Sequence, residues 1–258
     1  MSDGRPIADP IAEQPASLQD RLRAATTARV AIGRVGSAIP TAATLDFQLA
    51  HARARDAVHA ELADGHWGDT LCDRPVIEVR SRAPDRGVYL MRPDLGRTLD
   101  DASIDRLAGQ RSQLAIILAD GLSATAVRAH AADLAGAIMS RAQGWDVGTI
   151  VVAHQARVAL ADEIGEALGA DLSVILIGER PGLSAADSLS AYITWRPRKG
   201  RLDSERNCIS NIRPPFGWTV EAAADEVMRI ANRAREIGCS GVAMIGMGSS
   251  SEARVIQG

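Results

Sequence analysis

The sequence predicts an α/β protein, a Rossmann-like and mainly parallel sheet with a helical N-terminal extension. From about Val76 onward, short apolar runs alternate with longer stretches of helical periodicity, the pattern of βαβ units. Before that point the chain carries helical periodicity and loop signals but no strand-like run. The apolar run Val174–Ile177 then ends abruptly in the charged turn Gly178-Glu179-Arg180-Pro181-Gly182. A strand closing in such a turn places side chains outside the carboxyl edge of a sheet, where α/β proteins bind ligands.

Taken in order, Met1 to about Ser17 is polar and punctuated by Pro6, Pro10 and Pro15, which predicts a flexible arm. A short helix over Leu18–Thr27 follows, then a loop marked by Gly33-Arg34-Val35-Gly36-Ser37. Thr41 opens a long helix to about Asp64, with Leu45, Leu49, Ala52 and Ala57 as its apolar stripe. Val76–Val79 reads as a strand, and Gly87–Leu90 as another short one. Asp100–Gln110 reads as helix, Leu114–Ala119 as strand, and Ser123–Gln143 as helix. The alternation continues with strand Val147–Ala153, helix Val158–Leu168, strand Leu172–Ile177, helix Thr219–Ile237 and a last strand Gly241–Ile245. The expected organisation is an arm and short helix over 1–27, a helical region over 28–75, and a Rossmann-like domain over 76–258.

The 258 residues suffice for a sizeable core, and 46% apolar with 24% charged residues is ordinary for a soluble globular protein. Aromatic residues at 3% and a net charge of −3 argue against nucleic-acid and anionic-membrane partners. Cys72, Cys208 and Cys239 are scattered, as expected of reduced cytosolic thiols. The N-terminus shows no secretory signal pattern, and the longest apolar run falls far short of a membrane span.

Each motif has a plain structural reading beside a functional one. In Asp120-Gly121-Leu122-Ser123-Ala124, Ser123 fits a helix N-cap and Gly121 a tight turn, while Asp120 at the sheet edge fits a ligand contact. Glu179-Arg180 fits a solvated pair or a binding turn. Cys208, within the polar cluster Glu205–Arg213, fits a small buried hydrophobe in a helix or turn, and no histidine nearby would activate it. Histidines 51, 59, 66, 130 and 154 give no metal-ligand spacing, so no metal site is expected. Gly246-Met247-Gly248 imitates a dinucleotide fingerprint, but only ten residues follow it, too few for the rest of that motif. No acid–base or nucleophile constellation emerges, so no catalytic residue is assigned.

Six segments, in order, resemble one family. They are Thr44–His59 (TLDFQLAHARARDAVH), Tyr89–Arg97 (YLMRPDLGR), Asp120–Ala124 (DGLSA), Val158–Gly169 (VALADEIGEALG), Val174–Gly182 (VILIGERPG) and Glu205–Arg213 (ERNCISNIR). Together they are similar to the small subunit of ethanolamine ammonia-lyase, over about Ala28 to Ile245. The resemblance implies an adenosylcobalamin-dependent lyase that deaminates ethanolamine by radical chemistry to acetaldehyde and ammonia. It implies a large-subunit partner in a heterododecamer of six large and six small chains, with the cofactor held between subunits. It implies cofactor contacts at Val158, Glu179 and Cys208, with the cofactor's own base retained on cobalt. Asp64-Gly65-His66-Trp67-Gly68 is one residue short of the Asp-x-His-x-x-Gly motif that replaces that base in other cobalamin enzymes.

A cytoplasmic location follows from these features, and some relatives enter a bacterial microcompartment through a long N-terminal extension. Here only the Leu18–Thr27 helix offers itself for that role, and the tail 246–258 has no assigned part. Two other readings stay open at this level. One is a self-sufficient nucleotide-binding α/β enzyme, which needs a glycine fingerprint in a complete βαβ unit. The other is a microcompartment interaction protein without cofactor.

Overall fold

The computed structural model describes residues 17–26 and 28–244. The expected arm up to residue 16, Thr27, Ile245, the Gly246–Gly248 triad and the tail lie outside the described residues. The chain divides into two compact units between Ala50 and His51. In the first, helix α1 (Leu18–Ala25) is capped by Ser17, whose hydroxyl accepts the Asp20 N–H at 3.2 Å. Helix α2 (Thr41–His59) crosses the boundary and ends five residues before the expected Asp64, where a turn through Gly65 (φ 66°) begins. Its apolar stripe is not a core stripe. Leu45 and Leu49 are 58% and 51% exposed, and only Ala57 is buried.

The second unit is built on a seven-stranded mixed sheet of order β1-β2-β4-β3-β5-β6-β7. The strands are β1 (Thr70–Leu71), β2 (Arg74–Arg80), β3 (Leu114–Ala119), β4 (Ile150–His154), β5 (Leu172–Gly178), β6 (Leu189–Trp195) and β7 (Arg206–Ile212). β2, β4, β3 and β5 pair in parallel, while β1, β6 and β7 pair antiparallel. The expectation of a mainly parallel sheet thus holds at the centre and fails at both edges. The reason is in the connections: parallel neighbours need a crossover of a dozen or more residues, usually a helix. Between β5 and β6 lies only the turn 179–188, so the chain must reverse.

Two further expectations are overturned locally. Gly87–Leu90 is helical, inside α3 (Arg86–Met91), because the Asp85 carboxylate accepts the Val88 N–H at 2.8 Å and starts a helix. A capping bond outweighs the β-preference of so short an apolar run. Gly241–Met244 forms a turn opening into helix rather than a strand, with the Met244 N–H on the Gly241 carbonyl at 3.1 Å.

The strands β3, β4 and β5 are buried throughout, since helices cover both faces. Alternate residues point each way. Leu114, Ile116 and Leu118 join α5 (Ala124–Arg141) and α7 (Val220–Ile237) in one core layer. Ala115, Ile117 and Ala119 join α4 (Asp101–Leu107) and α6 (Leu160–Ala167) in the other. Ser123 and Thr219 cap α5 and α7 by accepting the Ala126 and Ala222 N–H groups at 3.2 Å. The capping role read for Ser123 is therefore met.

Asp120, just past β3, is 1% exposed and turned inward rather than toward a ligand. Its two oxygens accept the Gln155 and Ala156 N–H groups at 2.8 and 3.0 Å, and the Arg86 guanidinium stands 3.6 Å away. Burial pushes this carboxyl up from its ordinary range, and the two amides and Arg86 oppose the rise. Arg86 also donates to the carbonyls of Val58 and Gly121, both at 2.8 Å. On the far side, the turns after β3 and β5 meet backbone to backbone, with the Leu122 N–H on the Gly178 carbonyl at 2.9 Å. A Cβ on Gly178 would stand 2.1 Å from the Ser123 carbonyl oxygen, and one on Gly121 2.3 Å from that of Gly178.

Gly178→Ala should therefore destabilise the full chain by ~3 kcal/mol, a fall of roughly 10 °C in thermal melting followed by circular dichroism. A melt within experimental error of wild type would refute the close contact. Asp120→Asn turns one acceptor into a donor facing backbone N–H groups. A loss of about 3 kcal/mol is expected in urea unfolding. An unchanged midpoint and slope would show that the carboxylate does not organise the rim.

Candidate functional site

The turn that Asp120 and Gly178 fix is one wall of a cavity of about 410 Å³. Gly121 and Leu122 come from the turn after β3, and Ile177, Gly178 and Glu179 from the end of β5. Arg157 and Val158 come from the turn before α6, held by the Arg157 N–H on the Gly96 carbonyl at 2.8 Å. The floor is one face of the antiparallel pair, with Ser190 and Tyr192 on β6 and Cys208 and Ser210 on β7. Tyr192 and Cys208 are register partners, which aligns them across the ladder.

Tyr89 closes the inner end. Its hydroxyl donates to the Ala156 carbonyl at 2.9 Å, and its ring lies between the Arg86 and Arg157 guanidinium groups, 4.9 and 4.4 Å from the ring centre. The Arg157 Nε is buried without a hydrogen-bond partner among the described residues. Glu179 is half-buried, and its Oε1 accepts the Ser190 hydroxyl and, at 3.0 Å, the Asn211 N–H. Its Oε2 takes no hydrogen bond among the described residues, so the carboxylate is oriented by the protein through one oxygen and available through the other.

The floor carries no group ready to move protons near neutral pH. Burial, and then the neighbouring Cys208, push the Tyr192 phenol up to about 12. Cys208 is exposed along the strand, yet its thiol packs into the cavity wall closely enough that desolvation raises it too. Both keep their protons, so the floor offers hydrogen bonding and apolar contact.

An adjoining cavity of about 470 Å³ shares Leu122, Arg157 and Arg180 with the first and adds His51, Arg55 and His59 from α2. Its lining is strongly cationic.

All three residues named from the sequence therefore line one cavity: Val158, Glu179 and Cys208 arrive from three separate segments. The reading of Glu179-Arg180 as a solvated pair fails for Glu179, which is tied to β6 and β7, and holds for the exposed Arg180. The reading of Cys208 as a small buried group in a helix or turn is also corrected, since it is an exposed residue of β7. Ser190 and Tyr192 went unnoticed in the sequence. Their signal was present: Leu189, Ala191, Ile193 and Trp195 alternate with Ser190, Tyr192 and Thr194, the period of a strand.

Residues 16–245 match the family model described as ethanolamine ammonia-lyase light chain (EutC). The chain is 49% identical over 231 residues to the ethanolamine ammonia-lyase small subunit of Pseudomonas paraeruginosa, covering 86% of this chain and 84% of that one. It is 50% identical over 253 residues to the small subunit of Rhodopseudomonas palustris, covering 87% and 97%. With that of Bradyrhizobium diazoefficiens it shares 55% identity over 204 residues, covering 74% and 76%. A match of this extent places the chain in the ethanolamine ammonia-lyase light-chain family, a family of lyase subunits.

Proposed function

We propose that this chain is the cofactor-holding small subunit of an ethanolamine ammonia-lyase, with the cavity as its half of an adenosylcobalamin site. The observation that carries the reading is the convergence of Val158, Glu179 and Cys208 on one cavity. The donor set suits a corrin edge, which is a flat apolar ring fringed with amides. Glu179 Oε2 is an oriented acceptor for an amide N–H, and Val158, Ile177 and Leu122 give apolar contact. A cavity of about 410 Å³ takes only one edge of so large a molecule, which fits a site completed by a large-subunit partner. The cations Arg55, Arg157 and Arg180 of the adjoining cavity complement the single negative charge of a cobalamin phosphodiester.

When bound, adenosylcobalamin supplies the radical that takes hydrogen from ethanolamine on the way to acetaldehyde and ammonia. Glu179 orients the ring through its amide fringe and is itself oriented by Ser190 and Asn211. Val158 and Cys208 exclude water from the ring edge. The substrate-handling groups belong to the large subunit on this reading, consistent with a floor whose Tyr192 and Cys208 stay protonated. Among the described residues no helix is long and apolar enough to cross a membrane.

The purified chain should therefore deaminate no ethanolamine alone and gain activity when a large subunit is added. Turnover by the chain alone would sink this reading. In the assembled enzyme, Glu179→Gln keeps the accepting oxygen used by Ser190 and Asn211 but loses the charge. It should weaken adenosylcobalamin binding by ~10-fold in a visible-spectrum titration, with assembly by size measurement unchanged. Equal affinity would remove Glu179 from the site.

A further inference from the structure

Away from the cavity, three ligand-type side chains meet without a role. Asp64, Glu78 and His154 each bring one ligand atom into a group spanning no more than 4.8 Å. His154 ends β4 opposite Arg80 of the parallel neighbour β2, and Glu78 stands two residues before Arg80, so all three project from the same face. Asp64 reaches over them from the turn that follows α2. Nothing in the sequence spacing signalled this group, because its members lie on three separate segments.

The imidazole carries the argument. His154 is 2% exposed, and its Nε2 is buried with no hydrogen-bond partner among the described residues. That atom lies 3.4 Å from Glu78 Oε2 and 3.7 Å from Asp64 Oδ1. These separations are too long for good hydrogen bonds. They match the roughly 3.4 Å between tetrahedral ligands each ~2.1 Å from a common cation. Glu78 is already oriented, since its Oε1 accepts the Gly65 N–H at 2.6 Å. Asp64 is paired with Arg80, but its side chain is 66% exposed, leaving it room to turn and the site a path to solvent.

We propose that His154 Nε2, Glu78 Oε2 and the Asp64 carboxylate bind one divalent cation of the zinc class, with water in the fourth position. One imidazole and two carboxylates suit a borderline cation, and the two carboxylates outweigh the single charge of Arg80. The site would clamp the turn carrying Asp64 and Gly65 onto the β2–β4 edge. It is independent of the cofactor reading above.

The test uses the full-length chain, free of cobalamin and stripped with a chelator, titrated with Zn²⁺ by calorimetry. One equivalent per chain is expected, with a saturable rise in melting temperature. Because loss of a buried imidazole threatens folding, Glu78→Gln and Asp64→Asn carry the assignment. Each should keep the wild-type circular dichroism spectrum and weaken zinc binding at least ~10-fold. The proposal is overturned if wild type takes up no stoichiometric zinc, or if both variants bind it as tightly as wild type.

Discussion

A buried carboxylate must find donors, and where Asp120 finds them sets the shape of the cavity rim. Its partners are the N–H groups of Gln155 and Ala156, just past β4. To present both, the chain turns through a left-handed Gln155 (φ 53°), a conformation that this bonding must over-determine to be kept. The same turn delivers the Ala156 carbonyl to Tyr89 and aims Arg157 and Val158 at the cavity. Immediately after Asp120, Gly121 and Gly178 allow the β3 and β5 turns to touch. One charge and one pair of missing side chains thus fix three of the segments that line the site.

The fourth wall is the antiparallel extension, secured by a different buried charge. Arg206 of β7 grips Asp162 of α6 through two bonds of 2.6 and 2.7 Å, with both side chains 2% exposed. Burying such a pair is weak evidence for stability, because desolvation offsets most of the attraction. Its geometry matters more than its energy. A bidentate fork fixes the height and angle of β7 under α6, and Cys208 sits two residues along on the same face. The register itself is set by the ladder with β6, on which the floor of the cavity depends.

The central strands were legible because LAIILA and VILI are continuous apolar runs, as expected of strands buried on both faces. The edges were not. β7 is RNCISNI, whose buried members are an arginine and two isoleucines, and its pattern is broken by a left-handed Asn211 (φ 59°). No period survives that break. The stripe on α2 failed in the opposite direction. Its helical period is real, but periodicity reports that a face is apolar and says nothing of what covers it. The candidate site residues were named through family resemblance, because single positions such as Glu179 carry no local signal of a hydrogen bond made 32 residues away.

A phosphate-binding α/β site is built from backbone N–H groups at a helix start, and glycines are its signature. The cavity here is built differently. Its oriented acceptor is the Glu179 carboxylate oxygen, its floor carries a thiol and a phenol that keep their protons, and Arg157 and Arg180 add cationic donors at its side. An acceptor wall suits a ligand edge that donates, which is what a fringe of amides does. An open cavity also binds such a ligand weakly while water competes for the same bonds. Closure by a partner surface would exclude that water and strengthen each bond Glu179 makes. On the proposed reading, ligand and partner each improve the other's fit, so that this chain helps set when the assembled site is complete.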